Sequence, residues 1–476
     1  MDDLTDRLRQ LETDILRDFE YLNYPAENWV KAATGPAGEP VLDVAIIGGG
    51  MCGMAAAFGL RREGVQNFRI FERQDKGFEG PWVTTARMET LRSPKHLTGP
   101  NMGLPNLTFQ AWYRAKWGAE SWDALGNIPR EMWMDYLRWY RKVLDIPTEN
   151  NIELQRIEPV GDLLNLHFRR GHVEFQQLTR RVVLATGRAA FGGTRLPDAL
   201  ASLPDTVRAH TEDDIDFTAL AGKTVLVIGG AASAVDSAAT ALEAGAQEVH
   251  LLLRATEMPR LNKFKSTVYS GFFQGFLSAD DETRWRFLQH GFGCKIAAPR
   301  GSMLRLKALK RARLHFGSPV EAATVEDNKV HLSTPNGTLT GDFVILGTGY
   351  AINIQDQTEF SGFADKVKLW QDQYAPPPEI ADPELGRFPY LGREFELQEK
   401  TPGEAPFLSR IHLFNAATTM THAALSSDIP GVNVGANRLV NALVKNYFVE
   451  DSQQHLKDFY DYNDPELLGD EWGEDD

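Results

Sequence analysis

The stretch VLDVAIIGGGMCGMAAAFGLRREGVQNFRIFER, residues 41–73, constrains the fold more than any other part of the chain. Its apolar run, Leu42 to Ile47, suits a strand buried on both faces. Gly48, Gly50 and Gly53 follow in G-x-G-x-x-G spacing, then the helix formers Ala55, Ala56, Ala57 and Leu60. A second strand, Phe68 to Phe71, ends at Glu72, 24 residues after Gly48. Such a strand–turn–helix–strand unit aims its helix N-terminus at a pyrophosphate. Gly48 permits the turn, Gly50 admits the phosphate, Gly53 lets helix meet strand, and Glu72 accepts a ribose diol. Arg73 and Trp82 complete the residues expected beside this first nucleotide.

The pattern recurs from Lys223. A strand to Ile228, the small-residue turn Gly229 to Ala234, a helix to Ala244 and a strand from Val249 to Leu253 end at Arg254. An acid suits a free ribose diol, whereas an arginine suits a 2′-phosphate. The first unit therefore reads as the FAD site and the second as the NADPH site, with Gly229, Ser233, Ala234, Arg254 and His210 as the second site's residues. Ala231 at the middle glycine position crowds the phosphate slightly.

Composition narrows the function classes. A net charge of −15 and no basic run argue against nucleic-acid binding. Two cysteines, Cys52 and Cys294, exclude a disulfide framework and a C-x-x-C redox pair. No apolar run reaches the ~20 residues of a membrane helix, and the Met1-Asp2-Asp3 start lacks a secretory pattern, which predicts a soluble, cytoplasmic protein. No metal site is expected.

Leu4, Leu8, Leu11, Ile15, Phe19 and Leu22 predict an amphipathic helix, laid on the body or on a partner subunit, followed by a proline- and glycine-rich connector to residue 40. Residues 74–150 form an aromatic-rich excursion that contains an amphipathic helix over 130–144. Residues 152–186 read as short antiparallel strands ending in Ala185-Thr186-Gly187. Residues 255–315 read as a loop-rich insertion, 313–340 as short strands with an Asn336-Gly337 hairpin turn, and 375–389 as a surface loop. The strand into Thr348-Gly349-Tyr350 repeats the earlier ending. Residues 411–446 read as strand, loop and helix, and the acidic tail from Glu466 as disordered. The fold class is α/β, with two Rossmann-like three-layer domains and small antiparallel meanders. An FAD domain over 41–190 and 341–465 is interrupted by an NADP domain over 191–340, with residues 1–40 before it and a tail over 466–476 after it.

Two such units, acid-ended then arginine-ended and joined by ATG and TGY, resemble the class B flavoprotein monooxygenases. The dinucleotide motifs are shared with flavin disulfide reductases, so the subgroup rests on other segments. Met88 to Leu97 resembles the segment of ornithine and lysine N-hydroxylases that ends in a lysine near the flavin, matched by Lys95. His96 stands where those enzymes usually carry an acid. The Pro129-Arg130 helix resembles theirs, and Asn262 resembles the asparagine they place by nicotinamide and substrate. Of the Baeyer–Villiger fingerprint, Val207 to His210 supplies the histidine end alone.

The resemblance implies FAD and NADPH as cofactors, oxygen and a small molecule as co-substrates, and oxygen transfer from a flavin C4a-(hydro)peroxide. Lys95, His96 and Asn262 are the catalytic candidates. Arg87, Lys95, Asn262 and Lys263 are the candidates for holding substrate, and Asp428 for approaching the flavin ribityl chain. N-hydroxylation of an amine or amino acid leads. Baeyer–Villiger oxidation, flavin electron transfer without oxygenation and nucleotide sensing are the rivals. A homo-oligomer is compatible with the sequence.

Overall fold

A computed structural model describes residues 2–189 and 191–471, with side chains from residue 6 onward. The side chain of Leu4 and the tail residues 472–476 lie outside the described residues. Helix α1 (Asp2–Tyr21) buries Leu11 and Ile15, and Leu22 lies past its end, exposed.

The first sheet is built around β1 (Val41–Ile47), all seven residues of which are buried. Helix α2 (Met51–Arg62) leads from it to β2 (Phe68–Phe71), which pairs parallel with β1. The aromatic excursion follows, with helices α3 (Phe109–Trp117), α4 (Ala119–Ala124) and α5 (Arg130–Val143). Trp112, Trp133, Tyr136 and Tyr140 fill its core, and the Tyr136 hydroxyl donates to the Leu107 carbonyl at 2.6 Å. A buried hydroxyl needs such a partner.

Strands β3 (Thr148–Glu149), β4 (Glu153–Val160), β5 (Leu163–Arg170) and β6 (Val173–Leu184) complete this part, and the order is β3-β2-β1-β6-β5-β4. Of the short antiparallel strands expected over 152–186, the last is a single long strand from Val173 to Leu184. No turn residue interrupts 173–184, so β6 runs antiparallel to β5 in its first half and parallel to β1 in its second. It thereby joins the meander to the parallel sheet.

The second sheet is wholly parallel, in the order β10-β9-β8-β14-β7. Its strands are β7 (Arg208–His210), β8 (Thr224–Ile228), β9 (Glu248–Leu252), β10 (Ala312–His315) and β14 (Phe343–Leu346), and α6 (Ala232–Glu243) follows β8. Strand β7 is not expected from the sequence; three residues are too few for a periodic signal. The meander β11 (Ala322–Glu326), β12 (Lys329–Thr334) and β13 (Gly337–Gly341) pairs Thr334 with Gly337, so Pro335 and Asn336, not Asn336 and Gly337, are the turn residues. The insertion expected to be loop-rich is largely helical, over Ser270–Gly275, Asp281–Gly293 and Arg300–Ala308; glycines and Pro299 break its periodicity. The proline-rich loop also contributes to a core, burying Leu385 and Phe388 beside Trp285 and Trp370.

Strand β15 (Ile411–Leu413) returns to pair with β6. The helix Val432–Glu450 then covers α2. Its end is clamped to the sheet. The Tyr447 hydroxyl donates to the Asp43 carbonyl at 2.7 Å, and Arg180 and Arg181 pair with Asp451 and Glu450. The Asp43 side chain is buried among them, with Oδ1 unpartnered. Burial pushes its carboxyl up to about 7 from 3.8, although Arg180 opposes the rise. The folded state therefore retains a proton that the unfolded chain releases near pH 4, and stability falls as pH rises through that window. Asp43→Asn removes this loss. Thermal unfolding of the variant is expected to exceed the wild type's by a margin that is small at pH 5 and grows to several degrees at pH 8.

Candidate active site

Gly48 has φ of +105°, and a Cβ there would lie 2.5 Å from the Ala185 carbonyl oxygen. Gly229 has φ of +126°, and its Cβ would lie 2.4 Å from the Gly347 carbonyl oxygen. In both units the glycine turn is thus seated against the strand ending of its neighbour, ATG in the first and GTG in the second. The hydrogen bonds repeat as well. The Gly48 amide donates to the Phe71 carbonyl and the Gly229 amide to Leu252, while Ala185 donates to Ile47 and Gly347 to Ile228.

This repeat corrects one equivalence drawn from sequence. Phe71 matches Leu252, so Glu72 matches Leu253, and Arg254 matches Arg73. Leu253 is buried under the second turn, while Arg254 and Arg73 are both exposed. The second unit is therefore distinguished by lacking the acid, with its arginine one position further along.

One methyl group has changed places between the units. A Cβ on Gly53 would lie 2.0 Å from the Gly48 carbonyl oxygen. In the second unit Ala234 occupies the matching position and faces Gly347, where a Cβ would lie 2.5 Å from that of Ala234. The first unit has the methyl on Ala185 and none at Gly53.

Each helix N-terminus is open to an anion. Gly50 caps α2 and Ala231 caps α6; neither helix has a side-chain cap or an acid in its first turn. Uncapped amides and the helix dipole favour a phosphate there. Nothing lies within 4.0 Å of a Cβ on Gly50 except Gly80 at that distance, so the surface above it is clear. Glu72 is buried and aimed by two amides, from Gly49 at 2.7 Å and Gln74 at 2.8 Å. A carboxylate has about four acceptor positions, which leaves capacity for a ribose diol. Ala231 and Ser233 are exposed at the second N-terminus.

The remaining predicted residues have definite partners. Lys95 donates its ammonium to the carbonyls of Trp122, within α4, and Leu125, at its C-cap, and lies 4.9 Å over the Trp122 ring. His96 is exposed. The Asn262 side chain accepts the Phe264 amide at 3.1 Å and caps the turn Lys263–Thr267, of which Lys263 is exposed. Lys95 and Asn262 share no hydrogen bond among the described residues. Arg130 donates to the Trp82 carbonyl at 2.8 Å, fixing the loop over the first turn. Asp428 pairs with Arg188 at 3.1 Å, just past the ATG turn. His210 is buried at the end of β7, and its Nδ1 accepts the Glu212 amide at 3.1 Å; burial lowers its pKa despite Asp213 and Glu212. Arg87 donates to the Asp213 carbonyl at 3.1 Å.

Sequence reasoning missed several residues around the site. Asn415 donates to the Leu184 carbonyl and to the Thr186 hydroxyl, both at 3.1 Å, and so pins the ATG turn. Glu79, buried beside the first turn, is held by Arg141 and Asn150. Neither shows a motif, because the contacts join distant segments. Among the described residues no group of histidines, cysteines and acids could hold a metal ion, and no helix is long and apolar enough to cross a membrane.

Residues 45–271 match the family described as pyridine nucleotide-disulphide oxidoreductase. Over 465 residues the chain is 36% identical to an FAD-dependent urate hydroxylase of Xanthomonas campestris pv. campestris, covering 97% of this chain and 98% of that protein. The chain belongs to the class B flavoprotein monooxygenases. Two solved relatives share the fold. An ornithine hydroxylase from Pseudomonas aeruginosa is 17% identical with a TM-score of 0.68, and an L-lysine 6-monooxygenase from Pseudomonas syringae is 21% identical with a TM-score of 0.61. Each alignment spans 85% of this chain and 99% of the relative. The monooxygenase's two cysteines, Cys52 and Cys294, are both free, so the match to the disulphide oxidoreductases lies in the nucleotide-binding frame.

The displaced methyl gives a direct test. Gly347→Ala forces two methyl groups together and is expected to destabilise the monooxygenase by about 1–3 kcal/mol, as overpacked cores do. Adding Ala234→Gly should recover most of that loss. Denaturant unfolding of the single and double variants measures the coupling, and additive losses would refute the exchange.

Proposed function

We propose that this chain is an NADPH- and FAD-dependent monooxygenase that inserts one oxygen atom into a small nitrogen-rich heterocycle of the urate kind. The observation that carries the reading is the near full-length similarity to the urate hydroxylase, joined to two open helix N-termini on twin glycine turns. FAD fits the first unit. The uncapped end of α2 faces its pyrophosphate, and Glu72, already oriented by two amides, accepts its ribose. NADPH fits the second. No acid stands at its ribose position, and exposed Arg254 is available to a 2′-phosphate. On this reading residues 41–190 with the return from β15 carry the flavin, and the second sheet carries the nicotinamide; because β14 belongs to that sheet, its part of the chain runs past the boundary expected at 341.

Once bound, the flavin supplies the redox and oxygen chemistry; the protein supplies binding, orientation and shelter from water. Asn415 holds the ATG turn, and Arg188 holds Asp428 beside it, where the flavin's ribityl chain is expected. The Lys95 ammonium, committed to the carbonyls at the C-terminal end of α4, holds the loop 91–97 against the aromatic core. That commitment favours a heterocycle over a free amino acid, whose carboxylate would need a cation facing it. Amine N-hydroxylation remains the second reading, favoured by the match of Lys95, Arg130 and Asn262 to the N-hydroxylase segments.

Substrate-dependent turnover separates the two. With urate the purified enzyme is expected to consume NADPH, oxygen and substrate in equal amounts, releasing little peroxide. Ornithine, lysine and simple amines should leave NADPH oxidation at its background rate. Coupled turnover with an amine and none with urate would overturn the heterocycle, and stoichiometric peroxide with every substrate would overturn oxygen transfer.

A further inference from the structure

The loop 80–89 runs between the two nucleotide units. One end lies over the first turn, where Gly80 faces Gly50. The other end is gripped by the second unit. The Thr85 hydroxyl donates to Glu212 at 3.3 Å, and Glu212 also receives the Tyr350 hydroxyl. Arg87 donates to the Asp213 carbonyl and lies 5.3 Å over the Phe217 ring. The Arg87 carbonyl in turn accepts Arg305 at 2.8 Å.

Arg305 differs from the other links in having a choice of partners. It stands on the helix Arg300–Ala308, which packs on α6, and its side chain is 11% exposed. Glu243 of α6 takes it in a fork, Nε at 2.8 Å and an Nη2 at 2.5 Å, and Nη2 also meets the Thr240 hydroxyl at 3.2 Å. Those bonds lie within the second unit and anchor the guanidinium. Its remaining arm, Nη1, reaches across to Arg87. The same nitrogen lies 3.7 Å from Oδ1 of Asp236, also on α6; that buried oxygen has no hydrogen-bond partner, although the carboxylate is hydrogen-bonded by Ser302 and lies in the field of Arg92. Glu89, exposed at 3.8 Å from Nε, is the other carboxylate in reach. An anchored guanidinium between a carbonyl of one unit and an unpartnered, buried carboxylate oxygen of the other can occupy either.

We propose that Arg305 is a positioning residue that clips the loop 80–89 to the nicotinamide unit, and that Asp236 receives the same arm when the clip opens. The inference rests on the two-nucleotide reading above. With the clip closed, the loop over the flavin's phosphates and the helix at the nicotinamide's phosphates are held as one body, which aligns the two rings for hydride transfer. Binding of NADPH depends on the turn of α6 itself and should be largely indifferent to the clip.

Two measurements on the FAD-loaded enzyme test this. In Arg305→Ala, the flavin-reduction rate at saturating NADPH is expected to fall about tenfold or more, the equivalent of one charged hydrogen bond, with NADPH affinity and flavin content changed less than about threefold. Hydrogen exchange at amides 84–89 should rise by a similar factor, while α2 exchanges as before. Arg305→Lys, which keeps the charge but cannot fork Glu243 and reach Arg87 together, should move both readouts in the same direction. Native exchange at 84–89 in either variant would overturn the clip, as would affinity falling while the limiting rate held. If NADPH failed to reduce the wild-type flavin, the functional reading would fall, and the exchange comparison would still decide the clip.

Discussion

The close seating of a glycine against a neighbouring strand's carbonyl, made at Gly48 and again at Gly229, is the contact on which the architecture depends. It requires a positive φ and no side chain, and it fixes where the helix after each turn begins. With the helix start fixed, four free amides and the positive end of a dipole face the edge of a parallel sheet, where ligands of such folds gather. The chain meets this requirement twice with different residues, shifting one methyl from the strand ending to the helix. The same turn geometry is therefore reached with different residues in the two units.

Other segments support these two turns. The aromatic excursion packs α5 so that Arg130 holds the loop over the first turn, and Asn415 reaches from the far end of the chain to pin the ATG ending. At the opposite end of the first sheet, Tyr447, Arg180 and Arg181 tie the helix Val432–Glu450 to β1 and β6. The buried Asp43 there is a stability liability, tolerated away from the ligand edge.

Much of this was legible in the sequence because it is local. Both strand–turn–helix–strand units, the α/β class, the helix over 130–143 and the absence of a redox cysteine pair all follow from adjacent residues. Three features were not. Strand β6 changes partner halfway along, a matter of topology that no periodicity records. The helical insertion over 270–308 is broken by glycines, and tertiary packing of Phe272, Phe276 and Trp285 decides its structure. The pairing of Glu72 with Leu253 rather than Arg254 emerged from the hydrogen bonds at Phe71 and Leu252, one residue from where the motif ends suggested. Candidate side chains such as Lys95 and Asn262 were findable by resemblance, but their partners lie 27 or more residues away or on the turn they cap.

The central claim is that the two helix N-termini hold different nucleotides, FAD at Gly50 and NADPH at Ala231. An aspartate at either position suits a helix N-cap and meets no close neighbour at Gly50, so the fold should tolerate it while the anion is repelled. The measurement is flavin content together with NADPH affinity in Gly50→Asp and Ala231→Asp. The expected result is a Gly50→Asp protein that loses FAD and an Ala231→Asp protein that keeps it but binds NADPH at least about tenfold more weakly. Retained FAD in the first variant, or unchanged NADPH affinity in the second, would contradict the assignment.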